Sequence, residues 1–333
     1  LMMKVESESG SESKPIMKVE SESETESESE SEGESESESD NASGNGSESE
    51  ISLMTADACK YAFKKMGFNY LDINIKEDYI SKITSENINL CFNALHGGLG
   101  ENGSIPGLLN CLNIPYTHSG IEASSIAINK SLTKHVLSKE GISFPKSLEL
   151  KIQKYITPVN FKGDFVIKPN CEGSSIGIKI ISQDSNNKVL SSFWENKNNI
   201  IAEEFIEGKE LTVGVLNGKS LCITEIIAEK NTFYDYKSKY NKKGSIHIIP
   251  AKIPESIQKL AFEWSEKSYK FLNCRGVIRV DFRYNDKKNE LFMLEINTHP
   301  GMTETSLIPE QAQYYGLPFN DLIKKIMDGA RCD

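Results

Sequence analysis

The sequence predicts an α+β protein with mixed sheets, arranged in three lobes and preceded by a disordered acidic tail. Three observations lead to this fold class. The first 50 residues alternate glutamate and serine with almost no apolar side chains. From Ser52 onwards, short apolar runs typical of strands are interspersed with longer amphipathic runs typical of helices. The chain has 333 residues, enough for two or three domains of ordinary size.

The acidic tail differs sharply in charge from the rest of the chain. Residues 1–50 contain 16 acidic and 3 basic side chains, whereas the remaining residues contain 32 and 35. Such a tail cannot bury enough apolar surface to offset its ordering entropy, so we expect residues 1–43 to be disordered. The heptapeptide MKVESES occurs at 3–9 and again at 17–23. Within the tail, KPIMKV at 14–19 has the pattern of a strand.

The composition of residues 51–333, the body of the chain, also limits which functions are expected. Its charge is near neutral, which suits a small anionic substrate and gives no sign of a nucleic-acid surface. No apolar run reaches the roughly 18 residues needed to cross a bilayer, so we expect no membrane partner. The seven cysteines are scattered without a CxxC pair, which indicates reduced thiols. With no signal peptide after LMMKV, the protein is predicted to be cytoplasmic.

The pattern of apolar residues places the main elements along the body. Helices are predicted over 52–66, 121–140, 254–272 and 318–330. Strands are predicted over 68–75, 88–95, 164–168, 175–181, 199–206, 210–216, 276–284 and 290–297. The last two strands should form a hairpin across NDKKN, and residues 232–245 should form a polar, aromatic loop.

Two neighbouring strands, RVDF and LEIN, carry polar residues at alternate positions. Arg279 and Asp281 share one face of the first strand, and Glu295 and Asn297 share one face of the second. If the strands pair, the two sets converge. Two carboxylates and an amide oxygen are hard ligands suited to Mg²⁺. A solvated sheet face is the alternative for one such strand, but two adjacent strands with the same pattern favour a metal site.

Two glycine-rich loops follow predicted strands. EGSSIG, at 172–177, follows a strand that ends in Lys168, and backbone amides in such a turn can cradle phosphate oxygens. HGGLGENG, at 96–103, lies where α/β sheets bind ligands. A tight hairpin explains the first loop equally well.

Other polar residues have a functional and a structural interpretation. Lys130 and Lys134 lie one turn apart on a predicted helix, where a solvated face is the alternative. Carboxylates at the ends of the next strands could bind a ribose or an adenine amino group, or be ordinary edge residues: Glu203, Glu204 and Glu210. His96 and His299 have no metal-type spacing, which favours hydrogen-bonded structural roles.

Taken together, these motifs resemble the D-alanine–D-alanine ligases of the ATP-grasp superfamily. The resemblance covers nearly all of 46–330 and follows the family's order: ALHGGLGENGSIPGLL, IPYTHSGIEAS, NKSLTK, FVIKPNCEGSSIG, EEFIEGKELTV, FYDYKSKY, RVDFRY and LEINTHPGMTETSLIPEQA. It implies a three-lobed ATP-grasp fold with an N-terminal α/β lobe at 44–129, a central lobe at 130–210 and a C-terminal lobe at 211–333.

The same resemblance implies an activity. Two D-alanines and ATP would give D-alanyl-D-alanine, ADP and phosphate through an acylphosphate, for peptidoglycan synthesis. The implied cofactors are ATP and two Mg²⁺ or Mn²⁺ ions, and the implied assembly is a homodimer. Phosphoryl transfer of this kind depends on positioning and charge neutralisation.

Residue roles follow from matching positions in the family. The resemblance implies metal ligands at Asp281, Glu295 and Asn297, and an oxyanion site at Arg279 and Gly301. It implies contacts to the first D-alanine at His96 and to the second at Ser306 and Leu307. It implies ATP contacts at Lys130, Lys168, Ser175, Glu203, Glu204, Ile206, Glu210 and Lys239. The polar loop at 232–245 would be a lid that excludes water from the acylphosphate.

Glu48 follows a segment that departs from the family's pattern. By resemblance it binds the first D-alanine's amine and joins a triad with Ser174 and Tyr240. The family has an apolar strand before this glutamate, and here the preceding residues are ESESDNA. Either KPIMKV supplies that strand or the strand is missing. A catalytically impaired, ATP-binding paralogue is therefore one alternative function. A ligase for another acceptor, such as D-lactate, is a second, although Tyr240 in the flap favours D-alanine.

Overall fold

The structure is a computed structural model of the chain. It describes residues 2–7, 46–150, 155–156, 161–173, 177–182, 189–190, 194, 199–228 and 245–333. Within this part of the chain, no helix is both long and apolar enough to span a bilayer. None of the seven cysteines forms a disulfide, in agreement with the predicted reduced thiols.

A three-stranded sheet opens the fold and corrects the prediction for the tail. Strand β1 (Met2–Ser7) lies between β2 (Phe68–Ile73) and β3 (Cys91–Asn93) and is antiparallel to both. Part of the segment expected to be disordered thus forms the central strand of a sheet. This strand contains the first copy of the MKVES repeat. KPIMKV, which contains the second, lies outside the described residues, as does the rest of 8–45. Because the copies are identical, the pattern alone could not select between them.

Helices follow this sheet and carry the first glycine loop. The first of them begins six residues earlier than predicted and contains Glu48 in its first turn. The predicted helix over 121–140 is two helices, because Asn129 leaves the helical conformation and caps the second one by accepting a hydrogen bond from the Leu132 N–H (3.0 Å). The helices are α1 (Gly46–Met66), α2 (Tyr79–Ser85), α3 (Gly98–Glu101), α4 (Ser104–Cys111), α5 (Ile121–Ile128) and α6 (Lys130–Ser138).

The middle of the chain forms a four-stranded antiparallel sheet in the order β4-β9-β6-β7. Its strands are β4 (Ser147–Leu150), β6 (Phe165–Pro169), β7 (Lys179–Ile181) and β9 (Ile200–Glu204). Two short strands, β5 (Tyr155–Ile156) and β8 (Val189–Leu190), pair separately. The central pair β6 and β9 carries Lys168 and Glu203, which places two predicted site residues on neighbouring strands.

A five-stranded antiparallel sheet forms the third part, in the order β12-β11-β10-β13-β14. The predicted hairpin across NDKKN is confirmed, since β13 and β14 pair directly. The strands are β10 (Lys209–Leu216), β11 (Lys219–Ala228), β12 (Ser245–Ile248), β13 (Val277–Asn285) and β14 (Glu290–Asn297). The expected mixing of strand directions is limited, among described residues, to one parallel bridge between Cys91 and Tyr116.

Three helices complete the C-terminal part. They are α7 (Glu255–Phe271), α8 (Leu307–Tyr314) and α9 (Phe319–Asp328). The main apolar core lies between the five-stranded sheet and α7, where Leu211, Val280 and Phe282 are fully buried. The opposite face of β13 is therefore left for polar residues, which is where the candidate site lies.

Helix α8, which the sequence analysis did not predict, is fixed to the sheet by Gln311. Its buried side-chain oxygen accepts a hydrogen bond from the N–H of Gly214 (2.7 Å), at an irregularity of β10. Its amide nitrogen donates to the Thr212 carbonyl (3.2 Å) and the Thr224 hydroxyl (3.0 Å). A side chain at position 214 would collide with Gln311, so glycine is required for this close approach. The anchored helix presents Ser306 and Leu307 at its N-terminal end.

Candidate functional site

Strands β13 and β14 bring together the two polar pairs predicted from the sequence. Arg279 is directly opposite Asn297, and Asp281 is directly opposite Glu295. Along β13 the residues alternate between buried apolar and half-buried polar. The prediction that the two pairs converge on one face of the sheet is therefore confirmed.

Asp281 is held by donors on two strands. The guanidinium group of Arg279 donates to both of its carboxylate oxygens, at 2.8 and 2.9 Å. The Thr212 hydroxyl on β10 donates to the same carboxylate at 2.6 Å. Both ionic side chains are only 13% exposed, so the pair is screened far less than a surface pair. The carboxylate is thus fixed in one orientation at the floor of a cleft.

Lys130 links the helical region to the carboxylates of the sheet. It is the first residue of α6 and is buried, with its ammonium group donating to the Glu172 carbonyl (2.6 Å). The same nitrogen lies 3.2 Å from the carboxylate of Glu295. Burial excludes the alternative of a solvated helix face. A predicted phosphate ligand and a predicted metal ligand are therefore in direct contact.

Three buried charged side chains form a cluster around Lys134, one helical turn after Lys130 on α6. Both oxygens of the Glu203 carboxylate are taken, one by Lys134 and the other by Lys168 at 2.7 Å. Burial by itself would raise the pKa of Glu203, but the charges of Lys168 and Lys134 outweigh it and lower that pKa. Burial lowers the pKa of Lys134 to about 8 despite the opposing charge of Glu203. Glu203 is therefore no ordinary edge carboxylate, and its contact with Lys134 was not predicted.

The segment after Glu203 is fixed by a residue that the sequence analysis missed. Arg283 donates from Nε to the carbonyl oxygen of Ile206 (3.0 Å), and its guanidinium lies 3.5 Å from the carboxylate of Glu210. It also lies over the ring of Phe205. Arg283 could have been found by extending the alternation of Arg279 and Asp281 by two residues. Glu204, at the end of β9, is half-buried.

The loop between β14 and α8 forms the wall of one cleft. Gly301 packs so closely that a Cβ atom there would be 2.8 Å from the Ser306 hydroxyl oxygen. That hydroxyl also accepts a hydrogen bond from the Thr303 N–H (3.1 Å). Six predicted site residues line this cleft together: Glu210, Arg279, Asp281, Gly301, Ser306 and Leu307. The structure thus brings the predicted oxyanion and second-substrate positions to one place.

A second cleft adjoins the first on the side of β14. It is lined by Lys130, Glu172, Gly173, Glu295 and Asn297, together with Glu101. Glu101 is a buried carboxylate that the sequence analysis did not single out. Glu101 lies within HGGLGENG, the loop that the sequence places where α/β sheets bind ligands, and this position could have identified it as a site residue.

His96 lies behind these clefts with both ring nitrogens engaged. Nδ1 lies 3.0 Å from the carbonyl oxygen of His299, and Nε2 lies 2.9 Å from the hydroxyl of Thr55. Its backbone N–H donates to the Ser52 hydroxyl. The structural interpretation of His96 as a hydrogen-bonded residue is thus supported by its contacts.

Four predicted residues lie outside the described part of the chain: Ser174, Ser175, Lys239 and Tyr240. Glu48 lies in the first turn of α1, but the structure does not describe its side chain.

The oxygen-rich set on β13 and β14 has the chemistry of a magnesium or manganese site. Asp281 and Glu295 supply carboxylates from directly opposite positions on the two strands. The Asn297 side-chain oxygen accepts one hydrogen bond, from the His299 N–H (2.8 Å), which leaves its second lone pair for a metal. Among the described residues, no group of three or more His, Cys, Asp or Glu side chains is placed to hold a metal. The protein would thus supply only two carboxylates and an amide, which suits a cation that takes its remaining ligands from phosphates and water.

Comparison with known proteins gives a consistent result. A family model described as D-ala D-ala ligase C-terminus matches residues 138–328. The D-alanine–D-alanine ligase of Sinorhizobium fredii is 40% identical over 286 residues, covering 85% of this chain and 94% of its own. That of Wolbachia pipientis is 43% identical over 288 residues, covering 84% and 89%. The crystal structure of the Bacillus anthracis D-alanine–D-alanine ligase complexed with ATP has a TM-score of 0.72 at 30% identity, covering 86% of this chain and 93% of that one.

Proposed function

The chain belongs to the D-alanine–D-alanine ligase family, and on this premise we propose that it joins two D-alanines to D-alanyl-D-alanine for peptidoglycan precursors. ATP is consumed and becomes ADP and phosphate. The carboxylate of the first D-alanine attacks the γ-phosphate, and the amine of the second attacks the resulting acylphosphate. The tetrahedral intermediate then expels phosphate.

One observation carries this proposal. Lys130 and Arg279 each contact a carboxylate of the β13–β14 hairpin, and the loop that contains Gly301 borders the same cleft as Arg279. This adjacency supports a phosphate-binding group, metal ligands and an oxyanion site side by side. A reaction that transfers a phosphoryl group and then collapses a tetrahedral intermediate needs these three functions side by side.

The nucleotide is proposed to bind between the middle sheet and the hairpin. Lys130 and Lys168 contact the phosphates, with Ser175 of the EGSSIG loop and Lys239 of the lid. The segment from Glu203 through Glu204 to Ile206 runs along the adenine, and Glu210 binds the ribose. Because Glu203 is held by two lysines, it contributes mainly by fixing Lys168.

Asp281, Glu295 and Asn297 are proposed to hold two Mg²⁺ or Mn²⁺ ions. When bound, such ions neutralise negative charge on the phosphates during transfer. The donors that surround Asp281 hold its carboxylate at a fixed position facing the cleft. The contact of Lys130 with Glu295 keeps the ammonium group beside the same phosphates.

The reacting carbonyl is proposed to lie between Arg279 and the backbone N–H of Gly301. Donors fixed in advance stabilise charge that develops only in the tetrahedral state, and one such donor is worth ~3 kcal/mol. Ser306 and Leu307, at the start of α8, bind the carboxylate of the second D-alanine. Glu48, with Ser174 and Tyr240, holds the amine of the first D-alanine, and His96 lies near this substrate.

The test is phosphate release by the purified full chain with ATP and Mg²⁺. We expect release with D-alanine and none with L-alanine, together with a product of the mass of D-alanyl-D-alanine. Folded protein that binds ATP but releases no phosphate with D-alanine would instead support the impaired paralogue. Comparing D-alanine with D-lactate as the acceptor at several pH values distinguishes a dipeptide ligase from a depsipeptide ligase.

We also propose that the enzyme is a cytoplasmic homodimer. Seven cysteines without a disulfide support a reducing compartment. Sedimentation equilibrium measures the mass of the assembly directly, and a monomer across the working concentration range would contradict the dimer.

A further inference from the structure

Thr55 connects the first long helix to the loop that contains Gly301. Its side chain is buried on α1, and its hydroxyl oxygen accepts a hydrogen bond from the N–H of Met302 (3.3 Å). The same hydroxyl lies 2.9 Å from Nε2 of His96, which is 41 residues further along the chain. Thr55 therefore contacts one end of the loop directly and a histidine that contacts the other end.

The hydrogen-bond partners define the tautomer of His96. A carbonyl oxygen only accepts, so Nδ1 must carry the proton that is donated to His299. In a neutral ring with the proton on Nδ1, Nε2 is an acceptor, so the Thr55 hydroxyl donates to Nε2 while its oxygen accepts from the Met302 N–H. With the proton on Nδ1, both ring nitrogens have a hydrogen-bond partner in this circuit, and the buried Glu101 carboxylate lies 3.7 Å from Nδ1.

The circuit holds the turn at both of its ends. His299 and Met302 flank Gly301, and both are 1% exposed. The backbone N–H of His96 also donates to the hydroxyl of Ser52, one turn before Thr55 on α1, but this bond contacts neither end of the turn. The peptides on both sides of the Gly301 amide are thereby fixed, which limits how the loop that carries this amide can move. An oxyanion donor is useful only when it is held in place before charge develops.

We propose that Thr55 is a positioning residue for the ligase reaction: its hydroxyl joins Nε2 of His96 to the Met302 amide and so holds the loop that presents the Gly301 amide. His96 acts within this circuit on the loop. The inference rests on the proposed role of Gly301. It couples the helix that carries Glu48 to the site where the acylphosphate reacts.

Two substitutions separate the hydroxyl from the shape of the side chain. Thr55→Val keeps the shape and removes the hydroxyl, whereas Thr55→Ser keeps the hydroxyl. We expect Thr55→Val to lower kcat by about tenfold to a hundredfold, since misplacing a reacting group by ~1 Å can cost this much. The KM for ATP should change less than twofold, and Thr55→Ser should stay within threefold of wild type. Equal kcat values for the two variants would overturn the proposal.

The second measurement needs no variant. Nitrogen NMR of the wild-type protein labelled at histidine reports which ring nitrogen of His96 carries the proton. We expect Nδ1–H in wild type and in both variants, because the His299 carbonyl is retained, and a shifted Nε2 resonance only in Thr55→Val, where Nε2 loses its hydrogen-bond donor. Finding Nε2–H in wild type would overturn the inference even if Thr55→Val does not fold. Because this readout requires no turnover, it also separates failure of the inference from failure of the proposed function.

Ser52→Ala serves as the matched control. It removes a hydroxyl from the same helix face, and that hydroxyl bonds the His96 backbone instead of its ring. We expect some loss of stability with the tautomer of His96 unchanged and kcat within threefold of wild type. A loss of kcat as large as that of Thr55→Val would show that general loosening of α1 is responsible.

Discussion

The ammonium nitrogen of Lys130 lies 3.2 Å from Oε2 of Glu295. A lysine at the start of a helix and a carboxylate at the end of a strand are therefore one unit within the proposed metal and phosphate site. This unit leads to the first of four predictions.

Glu295→Gln should lower turnover on the order of 100-fold, because charge neutralisation by a metal is worth several kcal/mol. The amide keeps the size of the side chain, and Lys130 retains its hydrogen bond to the Glu172 carbonyl, so the melting temperature should fall by less than in Glu203→Gln. The Mg²⁺ concentration needed for half-maximal rate should rise. Initial rates over a magnesium titration measure both effects. Glu290→Gln, on the exposed end of the same strand, is the control. Wild-type kinetics in Glu295→Gln would rule out this carboxylate as a metal ligand.

Glu203→Gln should destabilise the fold, because two buried lysines lose their counter-charge. Breaking a buried ion pair from one side costs about 3–5 kcal/mol in the free energy of unfolding. Urea denaturation measures this value. Lys259→Met is the comparison: its pair with Glu255 has a distance of 2.7 Å but side chains 74% and 77% exposed. Such a pair is worth about 0–1 kcal/mol. Similar losses in the two variants would mean that burial of the Glu203 cluster has no energetic consequence.

Acid should destabilise the protein through two stacked, buried histidines. The rings of His118 and His299 lie 5.0 Å apart. Burial, together with the nearby charge of Arg275, lowers the pKa of His118 to about 3, and burial lowers the pKa of His299 well below its usual value. In the unfolded chain histidine binds a proton near pH 6.5. Between about pH 6.5 and 3 the unfolded state thus binds more protons than the folded state. The free energy of unfolding therefore decreases as the pH is lowered, by about 1.4 kcal/mol per pH unit per histidine.

Urea unfolding at several pH values between 7.5 and 4.5 measures this slope. His118→Asn is the informative variant, because His118 has a positive φ of 69°, which asparagine tolerates better than most residues. The variant should lose about half of the slope. An unchanged slope would assign the acid sensitivity to other groups.

Arg283→Met should raise the KM for ATP about tenfold and leave the KM for D-alanine within twofold. The substitution removes the donor to the Ile206 carbonyl and the positive charge beside Glu210, both in the proposed adenine and ribose region. Loss of a hydrogen bond to a charged group costs about 1.5–3 kcal/mol, which corresponds to this change. Initial rates at varied ATP and D-alanine give both constants. Lys287→Met, which breaks an exposed pair with Glu207, should change neither.

The sequence predicted the site best where the chemistry is local to one element. The alternation of Arg279 and Asp281, and of Glu295 and Asn297, already implied one shared face, because side chains on a strand alternate. The hairpin between them needed only a short polar turn. Lys130 and Lys134 were correctly assigned to one helix, since their spacing is that of a helical turn.

Contacts between distant segments could not be predicted in the same way. Lys134 and Glu203 are 69 residues apart, and Thr55 and His96 are 41 residues apart. No periodicity relates such positions, because the packing of whole elements decides which side chains meet. The break at Asn129 was missed for a different reason: apolar residues continue on both sides, and only the asparagine cap reveals it.

The position of β1 has a consequence for the acidic tract at residues 8–45. This tract of 38 residues joins β1 to α1, the next described element along the chain. The entropy of closing a loop grows only with the logarithm of its length. Relative to a common connection of about four residues, a tract of this length without contacts of its own would cost only about 2 kcal/mol. The fold can therefore tolerate repeat expansion at this junction, as long as one copy of MKVES remains to complete the sheet.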